Sequence, residues 1–176
     1  MGRFSSVVDA QDSTRGSYMP WLDAKLRVKI LGCKFIDKPA FIVAFTVLEI
    51  LAAPSEAADP EGKPFPAVGV DKDWYVKMSP IAGGGNPGAT DVKKFAIAAS
   101  PDIAEHYSKI ADLEAESKPD LNAIKELYDQ AEELLEYLVS DANPLEGTEM
   151  ILDTQARFQR NKSPFTGHVW TTPKAA

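Results

Sequence analysis

Hydrophobic and polar positions alternate with a period of two early in the chain. Lys25, Arg27 and Lys29 interleave with Leu26, Val28 and Ile30, which on a strand puts three cations on one face and three aliphatic side chains on the other. Gly32 interrupts the alternation before Lys34 and Phe35, as a bulge or bend does. After Asp37-Lys38-Pro39, the run from Phe41 to Leu51 is rich in β-branched and aromatic residues. It predicts a second, more deeply buried strand that forms a hairpin with the first. A polar loop with Pro54, Pro60, Pro64 and Pro66 follows. Val70 to Met78 predicts a third strand, with Val70, Trp74, Val76 and Met78 on one side and Asp71, Asp73, Tyr75 and Lys77 on the other.

The period then changes to that of a helix. Beyond a glycine-rich loop from Pro80 to Gly88, Thr90 is the expected N-cap of a short helix carrying Lys93, Lys94 and Phe95. Ser100-Pro101 is a second start signal, with proline suited to a first turn, and this helix is expected to run through Tyr107 and Ile110. Asp120 caps the strongest periodic segment: Leu121, Ile124, Leu127, Tyr128, Ala131, Leu134, Leu135 and Leu138 recur at helical spacing. The opposite face is acidic, with Glu126, Asp129, Glu132, Glu133 and Glu136, and Asn143-Pro144 marks the break. Thr148 to Arg160 and Phe165 to Thr171, joined by a turn at Asn161-Lys162-Ser163-Pro164, predict a closing hairpin.

These elements describe an α+β, mainly β chain read as one domain over residues 1–176. Strands 1–3 fall within 18–79, a helical insertion within 89–142, and strands 4 and 5 within 145–172. Five strands with helix between the third and fourth is the element order of a five-stranded OB-like barrel.

Composition narrows the classes. With 176 residues and 44% hydrophobic content the chain can bury one sizeable core. The single Cys33 excludes an internal disulfide framework and a cysteine-rich zinc site, which suits a reducing cytoplasm. No apolar run reaches the roughly 20 residues needed to span a bilayer, and Met-Gly-Arg-Phe-Ser-Ser lacks an apolar signal core, so neither a membrane location nor secretion is expected. Net charge is −7, unevenly divided. Residues 1–100 hold 12 Lys+Arg against 11 Asp+Glu, residues 101–150 hold 3 against 14, and residues 151–176 hold 4 against 1. An acidic protein with basic flanks can still have a polyanion as partner.

Catalytic signals are weak. The Gly83 to Gly88 stretch lacks the Lys-Ser/Thr of a phosphate-binding loop, no nucleophile elbow accompanies His168, and Cys33 reads as a small buried apolar residue. No enzyme class, cofactor or metal is expected. Binding signals are stronger, because strands that interleave cations with aromatics suit single-stranded nucleic acid, offering phosphate contacts and base-stacking faces together. The candidates are Lys25, Arg27, Lys29, Lys34 and Phe35 on the first strand, Tyr75 and Lys77 on the third, and Arg157, Phe158, Arg160, Lys162, Phe165, His168 and Trp170 on the last hairpin. Trp74, Phe41 and Phe45 read as core. Phe165 and Trp170 fall on opposite faces of one strand, so at most one of them is expected to be fully buried. For Arg27 and Lys29 a solvated face competes evenly with a phosphate contact.

Several of these segments together resemble a known family. Gly16-Ser17-Tyr18 leading into Leu26 to Ile30, Phe41 to Glu49, Asp73-Trp74-Tyr75-Val76-Lys77-Met78, Asp91-Val92-Lys93-Lys94-Phe95 and the closing stretch Phe158 to Trp170 are similar to bacteriophage single-stranded-DNA-binding proteins with OB-type folds. The resemblance spans about residues 18–172 and implies sequence-tolerant coating of exposed single strands in phage DNA replication, recombination or repair, without catalysis. Many single-stranded-DNA-binding proteins end in an acidic tail that recruits partner enzymes, whereas this chain ends Thr171-Thr172-Pro173-Lys174-Ala175-Ala176. The acidic helices of 101–142 are the candidate surface for replication or recombination proteins, with capping of the barrel as the favoured alternative. Homo-oligomerisation stays open. The competing functions are a noncatalytic virion-assembly or partner-docking protein and an acidic inhibitor that mimics DNA through residues 112–142.

Overall fold

Leu26, Val28 and Ile30 are completely buried, and Lys25 and Lys29, their alternating neighbours, face solvent. A computed structural model describes residues 23–53, 67–78, 87–157 and 165–173, with the side chains of 87, 156, 157, 165 and 166 outside the description. The chain runs β1 (Ala24–Ile36), β2 (Ala40–Ala52), β3 (Asp71–Lys77), α1 (Pro87–Ala99), α2 (Pro101–Glu114), α3 (Leu121–Leu138), β4 (Glu149–Arg157) and β5 (Phe165–Thr171). It is an α+β fold whose five strands form one antiparallel sheet in the order β3-β2-β1-β4-β5.

The sheet is strongly curled. Laid flat, β3 and β5 would lie about 19 Å apart, four strand spacings of about 4.8 Å. Instead Trp74 on β3 meets both Trp170 and His168 on β5, with ring centroids at 5.4 and 5.9 Å. Register breaks along the β1–β2 hairpin, at Lys25/Leu26, Arg27/Val28 and Ile30/Gly32, supply the added twist and bend. Phe95 of α1 completes this aromatic core, at 5.6 Å from Trp74, 5.2 Å from Trp170 and 5.9 Å from Phe41. The offset and edge-on ring geometries are those aromatic pairs prefer.

Helix α1 starts three residues before Thr90, because Pro87 is itself a good first-turn residue. Gly88 therefore belongs to the helix. A Cβ there would run into the backbone carbonyl of Lys77, so glycine lets α1 seat directly on the end of β3. Ser100 and Asp120 cap α2 and α3 as expected; Asp120 accepts from the backbone N–H of Asn122 and Ala123 at 3.0 and 3.1 Å. The apolar stripe of α3 serves two partners. Leu134, Leu135 and Leu138 join the main core, whereas Ile124 and Ala131, with Ile110 of α2, are buried apart from it, where the two helices pack on each other. Tyr128 donates to Glu114, and His106 Nε2 lies 3.2 Å from Gln130 Oε1, tying the pair together. Leu121 stays exposed.

Two boundaries differ from expectation. Val70 precedes β3 and is exposed rather than packed beside Trp74. Helix α3 ends at Leu138, and Asn143, with φ 46°, makes the turn that leads into β4.

Candidate nucleic-acid interface

The pleat sorts the predicted site residues onto two faces. On the outer face of the sheet Lys25, Lys29 and Lys77 are exposed, Lys34 is half-buried, and Tyr75 has 51% of its surface exposed. The ladders align two of these positions through a third residue across β1, β2 and β3: Lys34 pairs with Ile42, which pairs with Tyr75. Lys77 pairs with Ala40 in the neighbouring row, beside the Asp37-Lys38-Pro39 turn. A half-buried cation, a buried isoleucine and an exposed aromatic ring thus form one line across three strands, with Ile42 packed beside the buried Ile36 and Ala40.

Other candidates are placed differently. Arg27 is clamped: its Nε donates to Glu149 Oε2 at 2.8 Å and its Nη2 to the same oxygen at 2.5 Å, with Glu49 at 3.8 Å on the other side. The hydrogen bonds and charge of Glu149 raise its pKa, so this guanidinium is committed to β4 and β2. Phe35 is half-buried and pairs with the core residue Phe41, which puts it on the opposite face of β1 from Lys34. Trp170 is 6% exposed and packs against Phe45, Trp74 and Phe95, which makes it a core residue and not a stacking platform. His168 is partly buried, its Nε2 sealed from solvent without a hydrogen-bond partner among the described residues, and burial lowers its pKa to about 4. It is therefore neutral at physiological pH and adds no positive charge. Arg157 pairs with Phe165 across β4 and β5 through the backbone. Phe158, Arg160 and Lys162 lie outside the described residues. Burial pushes the Cys33 thiol up to about 12, so it remains protonated and inert.

Beside the Lys34-Ile42-Tyr75 row lies an open depression of about 250 Å³. Its floor includes the cross-strand pair Gly32 and Ala44 together with Ile42; its wall is the turn after α3, with Asp141 and Asn143. Asn143 Nδ2 donates to the Leu31 carbonyl at 2.8 Å and to Glu146 Oε2 at 3.2 Å. A Cβ at position 32 would stand 2.9 Å from Asn143 Oδ1, so glycine is what allows the turn to close on β1. The interruption at Gly32 was visible in the sequence, but no local signal connected it to Asn143, 111 positions later.

Among the described residues no group of three or more His, Cys, Asp or Glu could hold a metal ion, and no helix is long and apolar enough to cross a membrane. Comparison with protein-family models, curated proteins and solved structures finds no match to the chain.

Proposed function

We propose that this protein is a sequence-tolerant single-stranded-DNA-binding protein on an OB-type barrel, acting in phage DNA replication, recombination or repair. The observation that carries the reading is the line of Lys34, Ile42 and Tyr75 with Lys77 beside it, on the outer face of β1 to β3. OB folds bind oligonucleotides on the face of strands 2 and 3, flanked by the loops that join strands 1–2 and 4–5. The strand order, the placement of the helices between β3 and β4, and the approach of β3 to β5 through Trp74 and Trp170 support the OB assignment. On such a face lysines attach phosphates and Tyr75 stacks a base, so affinity falls as salt rises.

Fluorescence anisotropy of labelled single-stranded and duplex DNA of equal length, at low and moderate salt, tests this reading. Salt-sensitive preference for the single strand is expected. Equal binding of both, or of neither, would remove the proposal.

A second reading, a noncatalytic partner-docking or virion-assembly protein, is favoured by the helical pair. Leu121 and Tyr137 are exposed among the acidic side chains of α3. It predicts no DNA binding at low salt and a stable assembly in solution.

A further inference from the structure

We infer that the depression beside the Lys34-Ile42-Tyr75 row is a subsite for a single nucleobase that carries an exocyclic amino group, an inference that rests on the function proposed above. Tyr75 and Ile42 are directly opposed across β3 and β2, about 5 Å apart at their backbones. A strand whose one base stacks on Tyr75 and that crosses toward Lys34 therefore carries its next base past Ile42, itself only 3% exposed, to the mouth of the depression at Gly32 and Ala44. The floor is flat there because Gly32 and Ala44, a cross-strand pair, carry almost no side chain.

The polar groups at the rim define what fits. Asp141 and Lys34 both line the depression, yet among the described residues they form no ion pair with each other or with other side chains. Asn143 spends its amide nitrogen on Leu31 and Glu146, leaving Oδ1 as an acceptor beside Gly32. The rim thus offers two acceptors and one cationic donor. Cytosine presents an amino donor next to ring and carbonyl acceptors and matches that set. Thymine has a carbonyl where cytosine has the amine and would set an oxygen against the Asp141 carboxylate. A carboxylate also repels phosphate, so the backbone follows Lys34 and Lys77 while the base turns toward Asp141.

The test is anisotropy of the full chain with oligo-dC and oligo-dT of equal length, at neutral pH and fixed salt. Both are pyrimidine strands, so a difference reports the edge of the base more than its stacking. A preference of about tenfold for dC is expected. Asp141→Ala and, separately, Ala44→Leu, which fills the floor, should each bring dC affinity down to the wild-type dT value. Removing a carboxylate strengthens attachment to any polyanion, so a fall in dC affinity in Asp141→Ala runs against the general trend and is specific. Equal binding of dC and dT by the wild type, or a preference that survives both substitutions, would overturn the subsite and leave the DNA-binding function standing. Binding of neither strand would overturn both.

Discussion

Trp74 on β3 and Trp170 on β5 stand with ring centroids 5.4 Å apart although β2, β1 and β4 lie between their strands in the sheet. Among the described residues β3 and β5 share no hydrogen-bonded ladder. Side chains, not backbone pairing, hold the two edges together. Phe95 touches both indoles and is completely buried, so α1 acts as the key that fixes how far the sheet curls.

Phe95→Ala should therefore be among the most damaging single changes in the chain. Loss of a buried phenyl ring costs about 3–5 kcal/mol, and here it also loosens the contact between helices and sheet. Urea unfolding followed by far-UV circular dichroism measures it: the midpoint should drop with little change in slope. A loss below about 1 kcal/mol would mean that α1 is dispensable for closing the sheet.

His168 predicts an acid-sensitive edge. Its folded pKa, about 4, lies below the ordinary value of 6.5 because burial disfavours the imidazolium. As pH falls through 6.5 the unfolded chain takes up this proton while the folded chain does not. Stability is therefore unaffected by His168 above about pH 6.5, declines between about 6.5 and 4, and levels off below, for a total loss on the order of 3 kcal/mol. His168→Phe keeps the ring beside Trp74 and removes the titration. The stability difference between variant and wild type should shift in favour of the variant between about pH 7.5 and about pH 4.5, with the carboxylate titrations common to both cancelling. A difference that stays constant would mean that the imidazole is well solvated.

The periodic segments were legible because each encodes its own burial. Leu26, Val28 and Ile30 against Lys25, Arg27 and Lys29 fixed one strand and its faces; Asp120 and the leucine spacing fixed α3. What could not be read locally was which strand faces meet. Trp74 was assignable to the core from its aliphatic neighbours, but Trp170 and His168 sit in a hairpin whose alternation is mixed, and their burial follows from β3 lying opposite. Arg27 looked available because its partner Glu149 is 122 positions away. The strand pattern alone places Tyr75 and Lys77 on the outward face, and both are exposed.

Gly32 and Asn143 should show coupled energetics. Gly32→Ala brings a methyl group to 2.9 Å from Asn143 Oδ1, a contact that the Asn143 bond to Leu31 prevents from relaxing. A cost of about 1–3 kcal/mol is expected. In an Asn143→Ala background the obstacle is gone and the same substitution should cost less. A double-mutant cycle by chemical denaturation measures the coupling, expected at about 1 kcal/mol. Additive effects would show that the turn gives way freely.

The outer face makes a graded prediction for DNA binding. Tyr75→Ala removes the exposed ring and should weaken binding about tenfold or more if one base stacks there. Lys77→Ala removes an exposed cation and should lower the slope of log affinity against log salt by about one, with the loss similar for every sequence. Arg27→Ala is different in kind. Glu149 and Glu49 neutralise this guanidinium, so its removal frees two carboxylates near the strand and takes away no available phosphate contact. Its effect should be repulsion that fades as salt is raised, with a salt slope that stays near the wild-type value in the high-salt range. Measuring all three variants at several salt concentrations separates the roles. If Arg27→Ala lowers the high-salt slope as much as Lys77→Ala does, the clamp opens on binding and Arg27 is a phosphate contact after all.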